Sequence, residues 1–385
     1  MLPENRNILV VAGEASGDLH AASLVKSLRR LDPAIRFYGV GGERLREAGV
    51  DILAESSDMA VVGLTEVFFK LPLIMKVMKR LKHSFHAAKP DAVILVDYPD
   101  FNLHLAQAAH KRGIKVFYYI SPQVWAWRRG RIRKIRRFVD KMAVILPFEY
   151  PLYCEAGVDA EFVGHPLLDA IPAHFSPEEA RKKLGMREGI RTVSILPGSR
   201  PSEVTRLLPV CLKAAEKMNR HADMQFVMPL ASTLSQNFVE EIIRRYEVDI
   251  AVIPHAVYDV LAASDLAIVA SGTATLEAAL MKTPMIIIYR VSWPSYILGR
   301  LFISVKNIGL VNIIAGKSIV PELIQSEANS DSIAALAEDL LNNRDKREAM
   351  QANLLKIRDK LGTPGAAERA ALIVYNMLKG SYGNI

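Results

Sequence analysis

Residues 91–102 read DAVILVDYPDFN, and the run Ala92-Val93-Ile94-Leu95-Val96 carries no polar side chain on either side of its alternation. A strand with one wet face alternates. One that is apolar on both faces has to be covered on both, which is the condition of a parallel sheet held between helical layers. Pro90 and Pro99 bound the run, and it stops abruptly at Asp97. In an open α/β sheet the carboxyl ends of the strands build the ligand crevice, so Asp97 stands where such a fold does its chemistry.

The rest of the chain repeats this grammar twice. Asn7 to Ala12 predicts a strand, the loop Gly13-Glu14-Ala15-Ser16-Gly17-Asp18 a turn, and the following residues through Arg30 an amphipathic helix. Phe37 to Val40 predicts a second strand. The loop at Gly13 is not GxGxxG, so the dinucleotide fingerprint is absent. Gly13 and Gly17 would allow a tight turn near a ligand, with Ser16 or Asp18 capping the helix. After Asp97, a helix through Lys111 leads to the strand 115–120, which runs into Ser121-Pro122-Gln123-Val124-Trp125-Ala126-Trp127. Lys141 to Leu146 predicts the last strand of this half, and Val163-Gly164-His165-Pro166 closes it. Residues 167–177 read as a linker. The grammar then restarts, with strands expected at 192–196, 225–228, 250–253, 266–270 and 285–288, and helices from about Ser332 to Gly380 broken near Gly362-Thr363-Pro364-Gly365. At 385 residues two domains are expected. The fold class is α/β, with two Rossmann-like domains facing across a cleft.

Composition narrows the partners. The formal charge of +8 and pI near 9.3 favour an anionic partner. Two stretches concentrate that bias. The first begins at Val61 and ends at Phe85, VVGLTEVFFKLPLIMKVMKRLKHSF; its apolar positions exceed one core stripe and lysines flank them. The second runs from Arg128 to Arg137, where seven of ten residues are basic, beside Trp125 and Trp127. Both suit an anionic membrane surface, where Trp and basic side chains favour the interface; an ordinary solvated or sheet-covering helix would also read this way. Nucleic acid is not expected, because no binding module accompanies the run. No run approaches the roughly 18 apolar residues of a spanning helix, and the start lacks a signal-peptide pattern. Cys154 and Cys211 form no CxxC pair and suit reduced thiols in the cytoplasm.

Two turns in the second half are built to hold phosphate. In Leu196-Pro197-Gly198-Ser199-Arg200 a glycine lets backbone amides approach an anion at a helix start, and Arg200 adds a bidentate fork. In Ala270-Ser271-Gly272-Thr273-Ala274-Thr275-Leu276-Glu277 hydroxyls and a glycine sit where strand meets helix, and Glu277 could accept the two hydroxyls of a ribose. No Walker lysine, kinase set or metal-ligand spacing accompanies them. Asp97 with a diphosphate site is the arrangement that glycosyl transfer from a nucleotide sugar needs: a base for the acceptor hydroxyl and positive groups for the leaving diphosphate.

GEASGD at 13–18, DYPDFN at 97–102, SPQVWAWR at 121–128, LPFE at 146–149, FVGHP at 162–166, LPGSR at 196–200, ASGTATLE at 270–277 and NIIAG at 312–316 together resemble the lipid-A-disaccharide synthase family, over essentially the whole chain. The resemblance implies an inverting, metal-free glycosyltransferase with no cofactor. It joins UDP-2,3-diacylglucosamine to 2,3-diacylglucosamine 1-phosphate, giving UDP and the β-1,6-linked disaccharide of lipid A. It makes Asp97 the general base and Arg200 the diphosphate ligand, lines the UDP site with Ser199, Ser271, Thr273, Thr275, Glu277 and Asn312, and turns Glu14 and Ser16 toward the cleft. Asp100, Asn102, Ser121, Gln123 and His165 are further acceptor-side candidates. The family alternates between Asp-Ala-Pro and Asp-Tyr-Pro here, so Tyr98 is compatible with activity. The implied division is an acceptor and membrane-binding domain at 1–166, joined by C-terminal helices 352–385, and a UDP-sugar domain at 167–351. The implied location is the inner face of the cytoplasmic membrane, and since some members exchange their C-terminal region, a homodimer is among the implied assemblies. The alternatives are another UDP-sugar transferase acting on a lipid-linked acceptor, a UDP-sugar epimerase of the same fold, and a non-catalytic nucleotide-binding protein.

Overall fold

A computed structural model of the protein describes residues 6–59, 64–125, 130–171, 175–293, 296 and 307–380, the side chains of Ala15 and of 64–69 excepted. The chain divides into two compact units. One takes the residues up to Asp169 together with those from Leu361 onward, and the other takes Ala170–Lys360. The helix Arg344–Lys360 therefore packs in the second unit, and the return to the first begins at Leu361 rather than near 352.

In the first unit seven strands form one sheet: β1 (Asn7–Ala12), β2 (Arg36–Gly41), β3 (Asp51–Glu55), β4 (Ala92–Val96), β5 (Lys115–Tyr119), β6 (Lys141–Val144) and β7 (Ala160–Phe162), in the order β3-β2-β1-β4-β5-β6-β7. Every pairing is parallel. Successive residues of β4 go to opposite cores: Val93 and Leu95 join Leu81, Phe85 and Phe101, while Ala92, Ile94 and Val96 join Leu24 and Leu28 of the helix Ala15–Leu31. The second core is completed by Ala370, Ile373 and Val374 of the helix Ala366–Gly380. With both faces covered, all five residues of β4 are buried, which is why no polar position interrupts it. Two strands of this sheet escape the sequence reading. β3 is half exposed, and β7, at the sheet edge, has three residues and follows the strand expected to be last.

The second unit contains a six-stranded parallel sheet of β8 (Arg191–Leu196), β9 (Met224–Leu230), β10 (Ile250–Pro254), β11 (Leu266–Ala270), β12 (Met285–Tyr289) and β13 (Glu322–Ile324), in the order β10-β9-β8-β11-β12-β13. In both sheets the order runs backward from the first strand and then forward from the fourth, so each has one switch point, between β1 and β4 and between β8 and β11. Loops diverge there and leave a crevice outside the carboxyl ends.

Candidate active site

At the switch point of the first sheet Ala12 pairs with Val96, so the loop from Gly13 and the turn at Asp97 leave neighbouring strands. Asp97 and Tyr98 both have a φ of 47°. Two successive non-glycine residues in the left-handed region each cost about 1–3 kcal/mol and persist only when surroundings over-determine them. Here they do. The Asp97 amide donates to the Tyr119 carbonyl at 3.2 Å. Its carbonyl accepts from the Asn102 amide at 2.7 Å and from the Tyr118 hydroxyl at 2.6 Å. Asn102 is completely buried and its amide also reaches Val96 O. Burial, then the nearby charge of Asp97, pushes the Tyr118 hydroxyl well above its ordinary range, so it remains a donor. Asn102, expected as a cleft residue, thus serves the backbone that aims Asp97.

Tyr98 explains Gly13. A Cβ on Gly13 would lie 2.4 Å from Tyr98 Cγ, and the Tyr98 hydroxyl is tied to Met59 O at 3.0 Å. The glycine makes room for a protein side chain. Glu14 and Asp100 lie close enough to Tyr98 for their charges to raise its pKa, after burial as the main cause, so these candidates share one neighbourhood. Ser16 is exposed on the first turn of its helix. Neither Ser16 nor Asp18 caps that helix, contrary to expectation. Asp18 is buried and accepts from the amides of Gly42 at 2.6 Å and Arg44 at 3.0 Å, capping the helix Glu43–Glu47 across the β1–β2 pair. Asp100 is held by Arg131, which is buried although it belongs to the basic run.

Ser121 and Gln123 leave β5 on the next loop: Gln123 is exposed, and Ser121 is buried and donates to Glu149 at 2.6 Å. His165 is structural. Its Nδ1 accepts from the Leu167 amide at 3.2 Å, and its own amide donates to Leu361 O where the chain re-enters the unit. Burial, aided by His20, lowers its pKa to about 3, leaving it neutral.

In the second unit Leu196 pairs with Val269, so the two phosphate turns leave neighbouring strands. Gly198 has a φ of 116° and passes so close to Glu203 that a Cβ would meet its carboxylate at 2.4 Å. Glu203 itself accepts from the amides of Ser199 at 3.1 Å and Arg200 at 3.3 Å. The helix start read as open amides is thus capped by its own carboxylate, with Glu203 supplying the half of a capping box that reaches back to the N-cap amide. Ser199 and Arg200 remain exposed, with the guanidinium 3.7 Å from Glu203. On the facing turn Thr273 is exposed, Ser271 donates to Ile308 O at 3.1 Å, and the buried Thr275 donates to Gly272 O at 2.8 Å, fixing the turn. Burial raises the Glu277 pKa, and a hydrogen bond from Tyr258 works against it. Asn312, expected as a UDP ligand, is fully buried and spends its amide on the fold: it donates to Val320 O and Glu322 and accepts from the Ile319 and Val320 amides. Glu322 also accepts from the Ile308 and Gly309 amides, so Asn312 shapes the segment that Ser271 touches.

Sequence reasoning gave no role to Glu149, Tyr118, Tyr258, Glu203 or Glu322. Glu149 had one available signal, as the lone acid of LPFE.

The family model for lipid-A-disaccharide synthetase matches residues 8–375. The chain belongs to the lipid-A-disaccharide synthase family. A lipid-A-disaccharide synthase of Syntrophus aciditrophicus is 57% identical over 376 residues, covering 97% of this chain and 98% of that one. As a family member the protein is a glycosyltransferase of lipid A biosynthesis. Among solved structures, a putative UDP-N-acetylglucosamine 2-epimerase from Listeria monocytogenes has a TM-score of 0.68 at 14% identity, covering 99% of this chain and 98% of that one. The calicheamicin glycosyltransferase CalG4 has a TM-score of 0.60 at 16% identity, covering 99% and 100%. At such identities they speak for the fold alone, the two-domain α/β architecture that glycosyltransferases share with these epimerases.

Proposed function

We propose that the protein transfers the 2,3-diacylglucosamine unit of UDP-2,3-diacylglucosamine to the 6-hydroxyl of 2,3-diacylglucosamine 1-phosphate, giving the β-1,6-linked disaccharide 1-phosphate and UDP. The observation that carries the reading is Asp97, fixed in a strained conformation at a switch point by Asn102 and Tyr118. Its carboxylate takes the proton of the acceptor hydroxyl as that oxygen attacks the anomeric carbon from the face opposite the leaving group, which inverts the centre. The second unit holds the donor: Arg200 and Ser199 take the diphosphate, with Thr273 on the facing turn, and Glu277 accepts ribose hydroxyls. Arg200 stabilises charge as the bond to UDP breaks.

The first unit also carries the features that suit an acylated acceptor at an anionic bilayer. On the helix Leu64–Ala87, Leu71, Leu73 and Met75 are exposed, with Lys76, Lys79 and Arg80 beside them. On the helix Arg131–Phe138, Arg133, Lys134, Arg136 and Arg137 are exposed, while Ile135 and Phe138 anchor it to the core. Residues 61–63 of the first stretch, with the side chains of 64–69, and Arg128 and Arg129 of the second, with Ala126 and Trp127 before them, lie outside the described residues. No helix among the described residues is long and apolar enough to cross a membrane, so peripheral attachment through these two helices to the inner face is the arrangement proposed. Binding to anionic liposomes that weakens with salt and with Arg133→Glu/Arg136→Glu supports this part; binding indifferent to both removes it.

The transfer itself is tested by mixing the protein with UDP-2,3-diacylglucosamine, with and without the 1-phosphate acceptor, in detergent with chelator. UDP release that requires both substrates supports the proposal. UDP binding without release in the presence of this acceptor would mean that the acceptor is a different lipid.

A further inference from the structure

Glu149 opens the helix Glu149–Glu155, which follows β6, and its side chain is 1% exposed. One carboxylate oxygen accepts from the Ser121 hydroxyl at 2.6 Å and the Trp125 indole at 3.2 Å; the other accepts from the Leu146 amide at 3.2 Å. Tyr153, one turn further along the same helix, donates its hydroxyl to Pro122 O at 3.2 Å. Phe148 meets the Trp125 ring edge-on at 5.0 Å. Three consecutive features of one short segment therefore grip the five residues 121–125, and within those five only Gln123 is exposed.

That loop grows from the strand that holds Asp97. Its root, Ile120, has a φ of 64°, which for a β-branched residue is an outlier that needs external support. The two residues before it are Tyr118 and Tyr119, which bind the Asp97 carbonyl and amide. Loosening the loop therefore frees both the residue it presents, Gln123, and the backbone beside the base.

We propose that Glu149 is a positioning residue for the acceptor side of the transfer reaction, clamping the loop 121–125 to the carboxyl edge of the first sheet beside Asp97. The inference rests on the proposed transferase function. Every partner of the carboxylate is a donor, so the ionised group satisfies all of them and an amide cannot: in either orientation its NH2 faces an N–H, that of Leu146 or that of the Trp125 indole. Burial raises the Glu149 pKa to about 7, against the hydrogen bonds from Ser121, Leu146, Trp125 and Ile145. The titratable and charged neighbours are Tyr153 on its own helix, itself kept neutral by burial, and Arg131, whose charge reaches Tyr153. As Glu149 takes a proton near neutral pH the Trp125 indole loses its charged acceptor, while the loop stays closed, because the buried group binds that proton more readily than a solvated carboxyl would.

The test uses the full chain with Trp127→Phe and Trp293→Phe, which leaves Trp125 as the one indole of the three in the sequence. In this background Trp125 emission is expected to titrate with a midpoint near 7 and to become flat in Glu149→Gln. In steady-state turnover Glu149→Gln should lower kcat/KM for the acceptor by roughly 10- to 100-fold, leaving the donor KM and the UDP Kd at parental values. Ser121→Ala, which cuts one hook from the loop side, should shift the same terms by a smaller factor and covers the case in which Glu149→Gln fails to fold. Parental acceptor kinetics in these variants, or losses shared equally by the donor terms and UDP binding, would overturn the proposal. If the parent protein does not use this acceptor, the functional reading fails, while the Trp125 titration still reports whether the clamp exists.

Discussion

Gly13→Ala probes the coupling between the first loop and the base. The added Cβ would lie 2.4, 2.5 and 2.8 Å from Tyr98 Cγ, Cδ1 and Cδ2, whereas carbon atoms in contact sit at about 3.5–4.0 Å. The ring must recede by about 1 Å or more to restore that contact distance. It cannot swing freely, because the clash is at the base of the ring and the hydroxyl is tied to Met59 O at 3.0 Å. The displacement therefore passes into the Tyr98 backbone, next to Asp97, where both residues hold a φ of 47°. Overpacking of this kind costs about 1–3 kcal/mol, and a displacement of about 1 Å at a reacting group costs on the order of 100-fold in rate. We expect Gly13→Ala to fold with a modestly lowered Tm, to bind UDP with the parental Kd because the turns proposed to hold the nucleotide lie in the other unit, and to release UDP at a rate lower by about that factor. Tyr98→Ala removes the obstacle, so Gly13→Ala/Tyr98→Ala should recover most of the lost rate. UDP release at saturating substrates, with calorimetric Kd and thermal melts, measures all of this. A parental rate in the single variant, or no recovery in the double, would refute the coupling.

Other substitutions test the fold and the nucleotide site. A Cβ at Gly39, where φ is 154°, would lie 1.8 Å from the Val10 carbonyl oxygen in the centre of the first sheet, so Gly39→Ala should leave the protein insoluble or unfolded by circular dichroism. Cys154 is exposed, whereas Cys211 is buried with its thiol pushed up to about 12; a thiol reagent should therefore titrate one group in the native protein and both in denaturant. In its proposed role Glu277 accepts ribose hydroxyls as the ionised carboxylate, and its pKa is raised by burial and restrained by Tyr258, so UDP affinity should fall as pH drops through that pKa. Tyr258→Phe removes the restraint and should move that fall to higher pH.

The sheets were legible in the sequence wherever burial on both faces wrote itself as an unbroken apolar run, as in β4 and β11. β3, β7 and β13 were not, because a half-exposed or three-residue edge strand carries neither an apolar run nor a clean alternation. Motif reading found the loops at both switch points, but not which groups within them are committed to the fold. Glu203 takes the amides read as phosphate ligands, Asn312 spends its side chain on backbone, and Asp18 caps a helix 25 residues away from its own position at Glu43. The partners of Asp18 are set by the register of β1 against β2, whereas those of Glu203 and Asn312 are local bonds whose geometry only the folded turn defines. Glu149 shows this limit, since its partners lie on two different loops.

In the proposed reaction Asp97 is the base and the nucleotide is held on the second unit, and Asp97→Asn separates these two roles. The substitution keeps the shape and the backbone bonds from Asn102 and Tyr118 while removing the proton acceptor. UDP release with both lipid substrates should fall by at least about 1000-fold, within the range that positioned general bases supply, while the UDP Kd and the Tm stay parental. Turnover within about tenfold of the parent would exceed what loss of a general base permits and would contradict the account.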